Sequence, residues 1–206
     1  MSKNHKHLLY LTELAVLIGI MLFLESTGLG MIKTFGLELT ILQIPVIVAA
    51  IVIGPSGGAA MGAVFGLISF WECFGKSTFG TTLMSINPAL TFIVCVPTRI
   101  LMGWLCGLIF KGLHSKLART KGNFVSYLTA SLGGALLNTA FFMTALCLCF
   151  YQTDYIQGFV KALGSTNVFV FVLLFVGVQG LIEALLCAGV GSVVSKAVRR
   201  GVHKLA

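Results

Sequence analysis

Three polar side chains stand inside long apolar runs, where a polar group left facing hydrocarbon is costly: Arg99, Asn138 and Gln179. A guanidinium grips a carboxylate through two parallel hydrogen bonds. A carboxamide both donates and accepts, so it reads amide and hydroxyl groups. Counted from the ends of their runs that the charge pattern below places outside, Arg99 lies about ten residues in, or about 15 Å. Asn138 and Gln179 each lie about twelve residues in, or about 18 Å. Three hydrogen-bonding groups from three segments therefore meet near one level. An intramembrane arginine facing lipid costs about 2.5–3.5 kcal/mol or more, so Arg99 is expected to face protein or a water-filled cavity. The chemistry this constellation suits is capture of an anionic, hydroxylated or amide-bearing small molecule. A second arrangement stays open, in which Arg99 pairs with Glu183, one turn below Gln179 on the same face, and the two amides tie helices together.

Weaker candidates surround these. Gln43 precedes Pro45 near the outer end of its run and is placed to line the mouth of a cavity. Glu72, Thr82 and Asn87, with Thr81 and Ser85, fall in an outer loop leading to the segment that carries Arg99. Asn87-Pro88 reads first as a turn and helix start and second as a contact. Trp71 and Trp104 read as packing or interface residues. Catalytic patterns are missing: no G-x-x-x-x-G-K-[ST] occurs, and His5, His7, His114 and His203 all lie in polar stretches. The six cysteines form no C-x-x-C pair and read as small buried hydrophobes, with no metal expected. The expectation is a chain that binds and is not an enzyme.

The elements that must position these residues follow from composition. The 206 residues are 57% hydrophobic and 10% charged. A soluble domain is about 45–50% apolar and about 25% charged. The apolar runs are continuous, which favours helices over a barrel. Long runs cover Leu8–Leu24, Ala89–Phe110, Val125–Phe150 and Val168–Val194, and two shorter ones, Leu39–Ile53 and Ala59–Phe74, flank the breaker Gly54-Pro55-Ser56-Gly57-Gly58. A spanning helix needs about 20 residues. The expected architecture is an all-α integral membrane protein, one six-helix domain over 1–206, with helices near 8–28, 39–54, 58–74, 89–112, 124–150 and 167–196. Glu13 and the lack of a cleavage site mark the first run as an uncleaved helix and not a signal peptide.

Basic residues set the orientation. With the N-terminus inside, Lys3, Lys6, Lys111, Lys116, Arg119, Lys121, Lys196, Arg199, Arg200 and Lys204 lie inside, against Lys33, Lys76 and Lys161 outside. That asymmetry puts both termini in the cytoplasm. It also accounts for the net charge of +8 without nucleic acid. The longer loops, Glu25–Glu38, Glu72–Pro88 and Tyr151–Asn167, then share the outer face, where a binding site would open.

Small-residue steps recur at Ala15 and Gly19 and at Gly58, Gly62 and Gly66, suiting either close helix packing or docking of another membrane subunit. Together with Ala15-Val16-Leu17-Ile18-Gly19, the segments Gln43-Ile44-Pro45-Val46 and Gly54-Pro55-x-x-Gly58 give an order along the chain that resembles the substrate-binding S components of energy-coupling factor (ECF) vitamin transporters. In that family an A-x-x-x-A step in the first helix docks on the coupling subunit; here Gly19 takes the second position. The stretch from Ile86-Asn87-Pro88 through Pro97-Thr98-Arg99 to Gly103 is similar to the pantothenate-type members. The resemblance implies that Arg99 holds a vitamin carboxylate. It implies partners as well: a transmembrane coupling subunit and two ATPase subunits that hydrolyse ATP, so that this chain carries no cofactor. The implied setting is the cell membrane of a prokaryote. Riboflavin, pyridoxine, hydroxymethylpyrimidine or niacin are alternative cargoes on the same scaffold. A stand-alone secondary carrier is the rival; it would usually show duplicated halves or interrupted helices in matching positions, and neither is evident in the sequence.

Overall fold

The structure, a computed structural model, describes residues 3–33, 38–117 and 123–205. Nearly all of this is helical: α1 (Lys3–Ser26), α2 (Gln43–Val52), α3 (Pro55–Glu72), α4 (Thr78–Ile86), α5 (Pro88–Leu117), α6 (Asn123–Phe150), α7 (Asp154–Ala162), α8 (Val168–Leu186), a π-helical turn (Cys187–Gly191) and α9 (Ser192–Leu205). One antiparallel ribbon departs from the all-α expectation. Strands β1 (Met31–Lys33) and β2 (Glu38–Thr40) pair with Met31 opposite Thr40; β1 falls in an expected loop, while Leu39 and Thr40 fall in the helix expected over 39–54, which starts only at Gln43. A chain that must return to the bundle within a few residues satisfies its backbone groups by pairing with itself.

The centre of the bundle is α2. From Gln43 to Ile51 every residue but Ile44 is buried. A helix that is apolar all round belongs in a core. It is only ten residues long, about 15 Å, roughly half a hydrocarbon core. At its end Gly54 takes a φ of 110°, which only glycine adopts easily, and Pro55 opens α3 at the position where a missing N–H costs nothing.

Helix α3 lies against α5 along a seam of glycines. A methyl group on Gly58 would overlap the Gly103 carbonyl, one on Gly62 the Arg99 carbonyl, and one on Gly66 the backbone of Val96. The small-residue step of the third helix thus serves packing inside the bundle. It also fixes the backbone of Arg99 against α3.

Among the described residues, four helices are long and apolar enough to cross a membrane: His7–Ser26, Pro88–Lys116, Phe124–Phe150 and Gln179–Gly201. The sequence predicts six, with the last continuous over 167–196. Instead α8 breaks at Gly177, whose φ of 41° and ψ of −136° are non-helical, leaving a short apolar segment, Val168–Gly177, before the break. Two further helices occupy stretches expected to be loops. Each starts with a side-chain cap: the Ser77 hydroxyl accepts from the Gly80 N–H at 3.1 Å ahead of α4, and the Thr153 hydroxyl from the Ile156 N–H at 3.4 Å ahead of α7.

These additions gather at one end. Phe79 of α4 meets Tyr155 and Phe159 of α7 and Phe175 of α8, with ring centroids 5.8, 6.4 and 6.0 Å away. Lys76 pairs with Glu25 at the end of α1. The other end is basic and aromatic, with Arg199 over the Phe110 ring at 4.7 Å and Lys196 over Phe124 at 4.9 Å. Helix α1 sits at the rim, exposing Leu8, Leu11, Val16, Ile20, Leu22 and Phe23.

Candidate functional site

A cavity lies where three apolar clusters meet: the one around α2, which lends Phe65, an aromatic one that lends Leu83, Val94 and Met143, and a small one of Cys73, Cys95 and Val96. The space open to the centres of water-sized spheres is about 120 Å³. On that measure one water needs about 10–15 Å³, so the cavity has room for a small ligand or a group of waters. Its polar wall includes Glu72 from α3, Arg99 from α5, Asn138 from α6 and both Gln179 and Glu183 from α8, with Thr40 of the ribbon above them.

Arg99 is buried, and one nitrogen of its guanidinium lacks a partner. Nη1 donates to the Val94 carbonyl at 2.7 Å and to the Thr98 hydroxyl at 3.1 Å, while Nε is buried without a partner. Pro97 contributes no N–H to the ladder of α5. In the same turn the Thr98 hydroxyl donates to the Val94 carbonyl at 2.6 Å, so the two side chains share one acceptor. The guanidinium lies 4.7 Å from the centre of the Phe142 ring and 5.4 Å from that of Phe65. Aromatic faces hold a cation in place without using its N–H groups.

Glu183 is occupied elsewhere. Its Oε1 accepts from the Thr40 N–H at 2.7 Å, and its Oε2 from the Gln43 carboxamide at 3.4 Å. No ion pair joins it to Arg99 among the described residues. The carboxylate thus anchors the ribbon and α2 to α8 while still lining the cavity. The Oδ1 of Asn138 is buried without a partner, a donor-seeking atom in the wall beside Arg99. A buried unpaired acceptor costs about 1–3 kcal/mol, and a ligand donor or a water removes that cost.

Of the residues singled out from sequence, Arg99, Asn138, Gln179, Glu72 and Glu183 come together around this one space. Gln43 does not line it; fully buried behind the wall, it donates to Glu183 and to the Thr40 carbonyl. Thr82 donates to the Thr78 carbonyl of its own helix and borders a separate shallow depression with Gln152, Asp154 and Tyr155. Asn87 caps α5, its Oδ1 accepting from the Leu90 N–H at 3.1 Å. Ala15 and Gly19 are exposed on α1, and nothing lies within 4 Å of where a Gly19 Cβ would stand.

Sequence reasoning missed Thr40, Phe65, Ser69, Cys73, Cys95 and Phe142. One signal was available for part of this set: Phe65, Ser69 and Glu72 follow one another at i, i+4 and i+7, the spacing of a single helix face. For Thr40 there was none, since its backbone N–H makes the contact.

A guanidinium, a carboxamide acceptor and two carboxylates thus line one buried space. Over 107 residues the chain is 36% identical to the "Pantothenate transporter PanT" of Leuconostoc mesenteroides, covering 50% of this chain and 48% of that protein, so the match spans about half the length of that relative. Over 179 residues it is 30% identical to the "Pantothenic acid transporter PanT" of Lactococcus lactis subsp. cremoris, covering 78% of this chain and 87% of that one. The family model for "ECF transporter, substrate-specific component" matches residues 9–195, and the chain belongs to that family of transporter components.

Proposed function

We propose that this chain is the membrane-embedded subunit that captures pantothenate outside a prokaryotic cell and passes it inward with an ECF coupling subunit and two ATPases. The observation that carries the reading is the Arg99 guanidinium, held by aromatic faces beside a cavity and not closed off by Glu183. In this account Arg99 takes the vitamin carboxylate, Asn138 and Gln179 read its amide, and Glu72 and Glu183 accept from its hydroxyls. Gln43 supports Glu183 from behind. The names of the two relatives support the choice of cargo.

The same reading has six crossings with both termini cytoplasmic, so that the ribbon, α4 and α7 face outside. Ala15 and Gly19 then present α1 to the coupling subunit. The test is a thermal-unfolding screen of the purified chain against a panel of water-soluble vitamins. A ligand that binds only the folded state adds about 2.7 kcal/mol at a hundred times its Kd. Pantothenate should raise the midpoint. A rise with riboflavin, pyridoxine or niacin and none with pantothenate would transfer the role to that vitamin.

A further inference from the structure

Two cysteines far apart in sequence meet in the cavity wall. The Sγ atoms of Cys73, at the end of α3, and Cys95, on α5, are 4.0 Å apart. Both are buried among the apolar groups around them, both line the cavity, and both are free thiols. Their surroundings hold them there. The Cys73 thiol donates to the Ser69 carbonyl at 3.2 Å, and Gly80 of α4 packs directly on its sulfur. Below them the glycine seam keeps the backbones of α3 and α5 close. Both thiols belong to the cavity wall, and neither was given a contact with the vitamin above.

We propose that Cys73 and Cys95 form a redox-sensitive dithiol that a peroxide reaching the cavity converts to an intramolecular disulfide. The sulfurs must close from 4.0 Å to a bond of about 2.05 Å, a movement within reach of side-chain rotation when the helices are already packed together. In the first step one thiol attacks a peroxide oxygen, giving a sulfenic acid and one water. In the second, the other thiol attacks that sulfur, the S–S bond forms, and the sulfenic oxygen leaves as a second water. Two thiols have then lost two electrons and two protons to one hydrogen peroxide. The link fastens the outer end of α3 to α5 and draws in the wall that carries Arg99 and Glu72.

A consequence for ligand capture rests on the function proposed above: the oxidised protein should bind pantothenate at least tenfold more weakly, with full recovery on reduction. The full chain in detergent is treated with hydrogen peroxide, then with or without dithiothreitol, and each sample is peptide-mapped, melted and titrated with pantothenate. The map should show Cys73 joined to Cys95, two hydrogens lighter than the free pair. Cys73→Ser and Cys95→Ser should each abolish the link, and each variant, whatever its own starting affinity, should then lose no pantothenate affinity on peroxide treatment. If either variant fails to fold, the wild-type map and its reversal by dithiothreitol decide the pairing alone. Separate oxidation of the two residues, or survival of both as thiols, overturns the proposal. A joined pair with unchanged pantothenate affinity overturns its effect on the cavity. A reduced protein that binds no pantothenate contradicts the functional reading, while the map still rules on the dithiol.

Discussion

Around Arg99 the cavity holds polar groups of two kinds, those that await a partner and those already committed. Asn138 is of the first kind, with Oδ1 buried and unpartnered. Glu183 is of the second, holding the Thr40 N–H and the Gln43 carboxamide. The two should respond differently to truncation. Asn138→Ala should lower pantothenate affinity roughly 5- to 30-fold, one hydrogen bond of about 1–2 kcal/mol, and leave the thermal midpoint of the empty protein nearly unchanged. Glu183→Ala should lower that midpoint, because a half-buried N–H and a buried carboxamide lose their acceptor at about 1–3 kcal/mol. Melting curves of both variants, with and without ligand, check the contrast; an unstable empty Asn138→Ala would mean that its amide ties helices together. Part of this site was legible in the sequence because the membrane makes polar residues conspicuous. Arg99, Asn138 and Gln179 stood out against apolar neighbours at similar depth. Phe65 and Phe142 did not, since an aromatic beside a cation looks like any other core residue until the fold brings them together.

At the scale of elements, the position of Arg99 depends on how near α3 can come to α5. The glycine seam sets that distance, and a side chain at Gly62 must push on the Arg99 carbonyl. Gly62→Leu should therefore destabilise the protein by about 1–3 kcal/mol or more. It should also weaken pantothenate binding, although residue 62 does not line the cavity. Thermal midpoint and titration read both effects. A stable variant with normal affinity would show that the seam does not position the site. The hairpin at Gly54-Pro55 was legible because its two residues have strong local preferences. The ribbon, α4 and α7 were not. Each is short, and each owes its order to packing at one end of the bundle: α4 and α7 through Phe79, Tyr155 and Phe159, and β2 through Glu183. The break at Gly177 was equally hidden, because a glycine in an apolar run gives no sign that it leaves helical geometry.

For the whole molecule, the two ends of the bundle differ in kind, with basic groups on aromatic rings at one end and the ribbon, α4 and α7 at the other. Helix α1 lies outside the tightly packed core and turns Ala15, Val16, Gly19 and Ile20 away from it. In the proposed role that face meets the coupling subunit, so Ala15→Trp or Gly19→Trp should leave pantothenate binding by the isolated chain intact and abolish ATP-dependent uptake by the assembled transporter. Uptake at the normal rate in proteoliposomes would place the docking face elsewhere. In the proposed role a negatively charged ligand must meet the guanidinium of Arg99. Removing one member of a buried, hydrogen-bonded charge pair costs about 2–5 kcal/mol. Calorimetric titration of pantothenate into the purified chain should therefore give a Kd roughly 30-fold or more weaker for Arg99→Ala, with Arg99→Lys recovering only part of the loss because an ammonium lacks the planar fork. Folded Arg99→Ala protein with unchanged affinity would contradict that role.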